Sequence, residues 1–386
     1  MKIKKILVII TILLLTGCYD NKELNNIAIL SAVEINKIDN NFIINAQIVN
    51  PQSPDKTTNI QAPFIVYTGK GKSIQEAFRN IKLNSSRYLY PDHLQVIIIN
   101  ENIAKKDVTE ILDFFLRDPS IRTEFNVLIG RNDNILTVTT PIDEISSSSI
   151  VDTLKTNNKY LGVTNLITLN EMAIMTLNPN IEVILPSIKL ENENTETDKE
   201  DNTKSTKVSS MYELSGLAIF KDNKLLDYLS NDQSISYNII KNHVENSIIT
   251  YECDKNKYLT VELITSKSKL KTKNEKIDIN IDLSGTINES SCNIGLNNKK
   301  DLQNIEKKLE TYLETKLTND VNFIRNKYNS DVFGFLDEIY KHDYNTYLKI
   351  KDNWYQSTYK DIPINIKTKL NIVGIGNIME GNNEKN

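Results

Sequence analysis

This chain has little of what most enzymes use. Its 386 residues include three His, three Cys and one Trp, and His93, His243 and His342 lie far apart. No HExxH, paired CxxC, GxSxG or phosphate-cradling glycine loop occurs, so zinc hydrolysis, nucleophilic acyl transfer and nucleotide hydrolysis have no motif to rest on. Carboxylates are plentiful but unplaced, and a solvated acidic surface accounts for them without a glycosidase pair. Basic clusters are missing too: the formal charge of −4 becomes −7 once the three leader lysines are removed, and nucleic acid is not an expected partner. The expectation is a protein that is not an enzyme, with no catalytic residue, no metal and no diffusible cofactor.

Long apolar runs are absent as well. Behind Lys2, Lys4 and Lys5, the stretch Ile6 to Leu15 is broken only by Thr11; as a helix it reaches about 15 Å, half of a ~30 Å hydrocarbon core. It reads as a secretory leader, removed on export. The run ends in Leu15-Thr16-Gly17-Cys18, which resembles the bacterial lipobox. Small side chains admit the backbone to a membrane peptidase, and the Cys18 thiol takes a diacylglycerol, with an N-acyl chain also admissible. Two buried acyl chains at about 0.8 kcal/mol per CH₂ hold a domain on a bilayer firmly. The body is therefore expected on the extracytoplasmic face of a membrane. Cys253 and Cys292 remain; an exported pair could form a disulfide, but both read as strand or strand-end residues, which favours separate thiols.

Periodicity suggests a mixed α/β, multidomain body of antiparallel and mixed sheets packed with helices. Ile27 to Asn36 and Phe42 to Val49 form a hairpin, and Phe64 to Thr68 is a further strand. Ser73 and Glu76 read as a capping box before a helix with Ile74, Ala77, Phe78 and Ile81 on one face. Leu94 to Ile99 is almost wholly apolar, Val108 to Arg117 is helical in spacing, and Thr123 to Gly130 returns as a strand, a β-α-β arrangement. Arg87, His93, Arg117, Asp118 and Arg122 punctuate its element ends. They can be read as an anion pocket or proton relay; capping and mutual pairing is the favoured reading, because long polar side chains at element ends usually satisfy leftover backbone groups.

Helices at Ile142 to Leu154 and Asn170 to Leu177, then a strand at Ile181 to Leu190, close a first region, 18–190. Residues 191–207 hold six acids and no apolar side chain, and read as a linker or surface loop. The second region, 208–376, opens with Glu213 to Phe220 and Leu225 to Leu229. Asn246 to Cys253, Lys257 to Ser268 and Lys276 to Ile287 alternate as a twisted antiparallel sheet. From Lys299 to about Tyr328, apolar residues beginning at Leu302 repeat at three and four, a thirty-residue helix expected to pack on that sheet. Asp361 to Val373 is the last strand, and 377–386 is a polar tail.

Several of these stretches, in order, resemble one family. Cys18-Tyr19-Asp20 with Glu23-Leu24, Arg87-Tyr88-Leu89, Asp92-His93-Leu94, Leu112 to Asp118 and Ile121-Arg122 look like the Ger(x)C family, the lipoprotein subunits of spore germinant receptors. Ser215-Gly216-Leu217, Asp331-Val332-Phe333-Gly334-Phe335 and the spaced pair Tyr347 and Trp354 continue the match. Asp227 stands where the family tends to have Gly, Gln233 where it tends to have Glu, and Leu336 and Tyr347 replace a family Gly and Trp. The resemblance implies a C subunit that joins integral-membrane A and B type subunits at the spore inner membrane and acts by binding and transmission. Tyr19, Asp20, Arg87, His93, Arg117, Asp118, Arg122, Gly216, Gly334 and Trp354 are its motif residues, structural or interfacial. A substrate-binding lipoprotein of an importer is the competing class.

Overall fold

The computed structural model describes residues 26–50, 62–119, 121–138, 145–191, 211–244, 246–273, 275–293 and 299–375. Cys18, Tyr19 and Asp20, most of the acidic segment 191–207 and the tail 377–386 lie outside them. Two mixed sheets organise the rest.

The first sheet begins with a hairpin, β1 (Ile27–Ile38) and β2 (Asn41–Val49). Asp39 and Asn40 take the positive φ that a two-residue turn of matching twist requires. β3 (Phe64–Gly71) pairs with β2, and α1 (Ile74–Ile81) folds back on them, burying Ile74, Ala77 and Ile81. The capping box is only half made: Ser73 Oγ accepts from Glu76 N, but Glu76 accepts from Lys72 N. β4 (Tyr88–Tyr90) and β5 (Val96–Asn100) run parallel to β1, and α2 (Thr109–Arg117) leads to the parallel β6 (Asn126–Gly130). All five residues of β5 are buried, because helices cover both faces of a parallel sheet. On α2, Ile111, Leu112 and Phe115 are buried and Leu116 is 45% exposed.

After β6 come α3 (Ser146–Tyr160), α4 (Leu169–Leu177) and β7 (Ile184–Glu191), parallel to β6. β8 (Met211–Lys221) then extends the first sheet by pairing antiparallel with β7, and β9 (Lys224–Tyr228) by pairing antiparallel with β8. The strands beyond the acidic segment thus complete the first sheet, giving the order β3-β2-β1-β5-β6-β7-β8-β9 with β4 beside β1. A short helix, α5 (Asn231–Ile240), leads to the second sheet.

β10 (Ser247–Asp254), β11 (Lys257–Lys273) and β12 (Lys276–Ser290) are antiparallel as expected. The last strand, β13 (Ile364–Gly374), departs from an all-antiparallel sheet: it pairs parallel to β12. Parallel neighbours need a crossover connection, and the helix α6 (Lys299–Tyr328) with the segments after it supplies one. Leu309, Leu313, Leu317, Val321 and Ile324 of α6 pack on the sheet at 0–2% exposure. The helix also covers an edge: Glu306, Glu310 and Glu314 accept from the backbone N–H groups of Ile372, Leu370 and Thr368. Four helical residues rise about 6 Å and two strand residues about 6.6 Å, so the two spacings match. Capped in this way, β13 offers fewer free donors to a foreign strand.

Cys253 and Cys292 are disulfide-bonded, with Cα atoms 6.2 Å apart, in contrast to the separate thiols favoured from sequence. Past the end of β12, Ser291 bonds back to Tyr258 at the start of β11, which turns the chain towards the end of β10. Strand periodicity carries no sign of that turn.

Candidate functional site

The motif residues of the first region converge on the end of the sheet where β1 begins. Ser85 Oγ bonds both N–H and C=O of Arg87 and turns the chain into β4. Pro91, Asp92 and His93 make a single 3₁₀ turn, and Tyr90 donates to Asp92 at 2.5 Å. That bond is the main cause holding the Tyr90 hydroxyl above its ordinary value, with the nearby Arg122 opposing it. Both α1 and α2 run towards this end, bringing Arg79 and Lys82 from one and Phe114 and Asp118 from the other. Between them is a groove of about 240 Å³. Its floor is aromatic and aliphatic, with Phe78 stacked on Phe114 at 5.4 Å. Its rim is charged, with Lys82 over the Tyr88 ring at 4.7 Å.

Asp118 lines the groove, and its backbone ends α2 by bonding Phe114 O. His93 and Arg122 are exposed beside it, and Arg87 is half-buried. Arg117 faces a neighbouring depression and pairs with Asp113 at 2.6 Å, with both side chains largely exposed. Arg117 is thus paired, though with Asp113 and not with another motif residue, and the groove that Asp118 borders has an apolar floor and a charged rim.

The other motif residues build the junction of the two sheets. Gly216, at φ +69°, lies where a Cβ would come 2.4 Å from Leu229 O. Gly334, at φ +70°, starts α7 (Phe335–His342) against Ile181. Asp331, fully buried, accepts from the N–H groups of Phe335 and Leu336 at 3.0 and 2.9 Å, and burial pushes its carboxyl up to about 6. Ser330 donates to Phe220 O and Glu182 N to Asp331 O, so this corner ties the long helix to the first sheet. Trp354, 1% exposed, packs 5.4 Å from Tyr359. Two of the four family departures also fit: Gln233 completes a capping box with Ser230 as a Glu would, and Asp227 accepts from Lys327 and Tyr328.

Three buried charged groups escaped the sequence reading. Arg325, inside the apolar stripe of α6, donates to the carbonyls of Tyr359 and Ile362. Glu34 interrupts the apolar run of β1, and Glu182 pairs with Lys221 at 3.3 Å. In each case the signal was a charge at a position the periodicity assigns to the core. His243, whose burial pushes it down to about 4, lies 3.4 Å from the Asn165 amide, and His342 pairs with Glu338 on α7. Among the described residues, no group of three or more His, Cys, Asp or Glu could hold a metal, and no described helix is long and apolar enough to cross a membrane.

Two dissimilar mixed sheets are thus joined through a buried corner, with a charged-rimmed apolar groove at one end of the first. The family model described as "Spore germination protein N-terminal domain" matches residues 20–190, and "Spore germination B3/GerAC like, C-terminal" matches residues 215–376. The chain belongs to this GerAC-like family of spore germination proteins. Among its relatives, Spore germination protein KC of Bacillus subtilis is 27% identical over 384 residues, covering 95% of this chain and 94% of the relative. Spore germination protein B3 of the same organism is 22% identical over 379 residues, covering 95% and 96%. The crystal structure of the GerBC protein superposes with a TM-score of 0.57 at 18% identity, covering 88% of this chain and 96% of that one, so the fold is shared.

Proposed function

We propose that this chain is the lipid-anchored C subunit of a nutrient germinant receptor. Its body stands on the extracytoplasmic face of the spore inner membrane, held by acyl chains on Cys18, where it joins the integral-membrane A and B type subunits. The observation that carries the reading is the succession of both family matches, 20–190 and 215–376, directly behind the lipobox. It acts by binding and by transmitting strain between its two bodies. The buried corner around Ser330, Asp331 and Glu182 supports that role, since close-packed interiors have low compressibility and transmit strain. A solute-binding lipoprotein of an importer finds no support in two unlike sheets.

The test is a deletion. Spores lacking the chain should ignore their nutrient germinant, yet germinate when calcium dipicolinate, a trigger independent of the receptor, is supplied. Loss of optical density under each trigger is the readout. Normal nutrient germination in the deletion, with no second receptor of overlapping specificity, would refute the proposal.

A further inference from the structure

A second site is implied by the path of the chain through the first sheet. β5 and β6 are adjacent and parallel, but their following connections leave to opposite faces. After β5 the chain enters the core that contains Ile103, Val108, Ile111 and Phe115. After β6 it enters the core on the other face, with Ile135, Leu136, Ile150 and Leu154. Alternate residues of the two strands confirm the sides: Ile97, Ile99, Val127 and Ile129 belong to the first core, Val96, Ile98 and Leu128 to the second. Where neighbouring parallel strands send their connections apart, a crevice opens at their carboxyl ends, and ligands of open α/β sheets bind there.

This molecule has such a crevice, with a volume of about 390 Å³, inside the roughly 300–1,000 Å³ range of small-molecule sites. It is lined by the residues that directly follow the two strands, among them Glu101, Asn102, Arg131, Asn132 and Asp133. The walls are held in place. The Arg131 guanidinium lies 3.6 Å from the centre of the Tyr228 ring and donates to Ser187 Oγ at 3.0 Å, while the Tyr228 hydroxyl donates to Glu101 at 3.0 Å. Asn132 Oδ1 accepts from Leu190 N at 2.7 Å. One Asp133 oxygen takes the amides of Asn36 and Asn100, at 2.8 and 2.6 Å. Its other oxygen and the Asn102 amide have no partner among the described residues.

We propose that this crevice is a binding site for a small, uncharged, hydroxyl-rich solute of monosaccharide size. Each hydroxyl both donates and accepts, which suits a lining of side-chain amides and carboxylates. An anionic ligand is disfavoured, because Asp133 presents a carboxylate oxygen to the crevice and the cation that lines it, Arg131, is engaged by Ser187, Ser215 and Tyr228, while the Glu101 charge is met by Lys105. The inference does not depend on the receptor reading, since it rests on strand order and the residues at two strand ends.

The test is ligand-observed NMR and calorimetry on the purified full chain in detergent, with D-glucose, D-fructose and D-ribose as probes and L-alanine as the zwitterionic comparison. Saturable binding of at least one sugar in the millimolar range is expected. It should weaken at least about tenfold in Asp133→Ala, which removes a charged acceptor, and in Asn102→Trp, which fills the crevice from an exposed position. Because Asp133 also anchors two amides, the thermal midpoint and the chemical shifts of the second sheet report whether a variant is folded, and Asn102→Trp breaks none of those bonds. No saturable sugar binding by the wild type, sugar binding unchanged in folded Asn102→Trp, or saturable binding of L-alanine alone would overturn the proposal.

Discussion

Replacing Glu34 by Gln tests the electrostatics of the first sheet. Glu34 lies on β1 at 2% exposure. Its carboxylate lies 3.3 Å from Ile135 N and 3.4 Å from the Asn45 amide, both long hydrogen bonds. Burial is the main cause that pushes it from 4.5 up to about 7, with the neighbouring Asp133 adding to the rise. A carboxyl raised on folding favours the folded state most below its unfolded value, and that contribution is lost as the pH climbs through the folded value. The gap between 4.5 and about 7 corresponds to about 3 kcal/mol. Gln keeps an acceptor for Ile135 N and carries no charge to bury. Glu34→Gln should therefore be more stable than the wild type near pH 8, by up to about 3 kcal/mol, and no more stable at pH 4.5. Urea unfolding followed by circular dichroism at both pH values measures the difference, and groups common to both proteins, Asp331 included, cancel in it. A pH-independent difference, or a Gln variant less stable near pH 8, would refute the assignment of a buried, destabilised carboxylate.

Further outcomes are expected elsewhere in the chain. Cys18→Ala should leave an uncleaved precursor that takes up no labelled palmitate; equal labelling would remove the lipobox from the account. Cys253→Ser with Cys292→Ser opens a loop of 39 residues, for which chain entropy predicts a loss of about 4 kcal/mol; thermal unfolding with and without reductant should show the wild type converging on the double variant. Gly216→Ala should cost clearly more than Gly334→Ala although both have φ near +70°. A new Cβ at 216 meets the backbone oxygen of Leu229 at 2.4 Å, whereas at 334 it meets the movable Ile181 Cδ1 at 2.9 Å. About 1–2 kcal/mol is expected at 334 from the left-handed backbone alone, and equal losses at the two sites would show that the Leu229 carbonyl yields freely.

Periodicity along the chain was enough for most of the elements and their packing faces, though not for β4 or α5. Side-chain period is a local property, so β5 read as a strand buried on both faces, and the stripe from Leu302 to Tyr328 as one long helix on a sheet, as found. The ordered motifs between Arg87 and Trp354 likewise pointed to the family. Tertiary structure alone decided what depends on partners distant in sequence. No local pattern reveals that β8 and β9 complete the first sheet, that β13 enters parallel to β12, or that Cys253 and Cys292 meet. The same holds for the charges: Glu306, Glu310 and Glu314 look like a solvated helix face until β13 lies beside them, and Arg325 reads as a misplaced cation until two carbonyls 34 and 37 residues away accept its protons. The groove and the crevice belong to this second class, because a concave surface exists only where chain segments far apart in sequence are brought side by side.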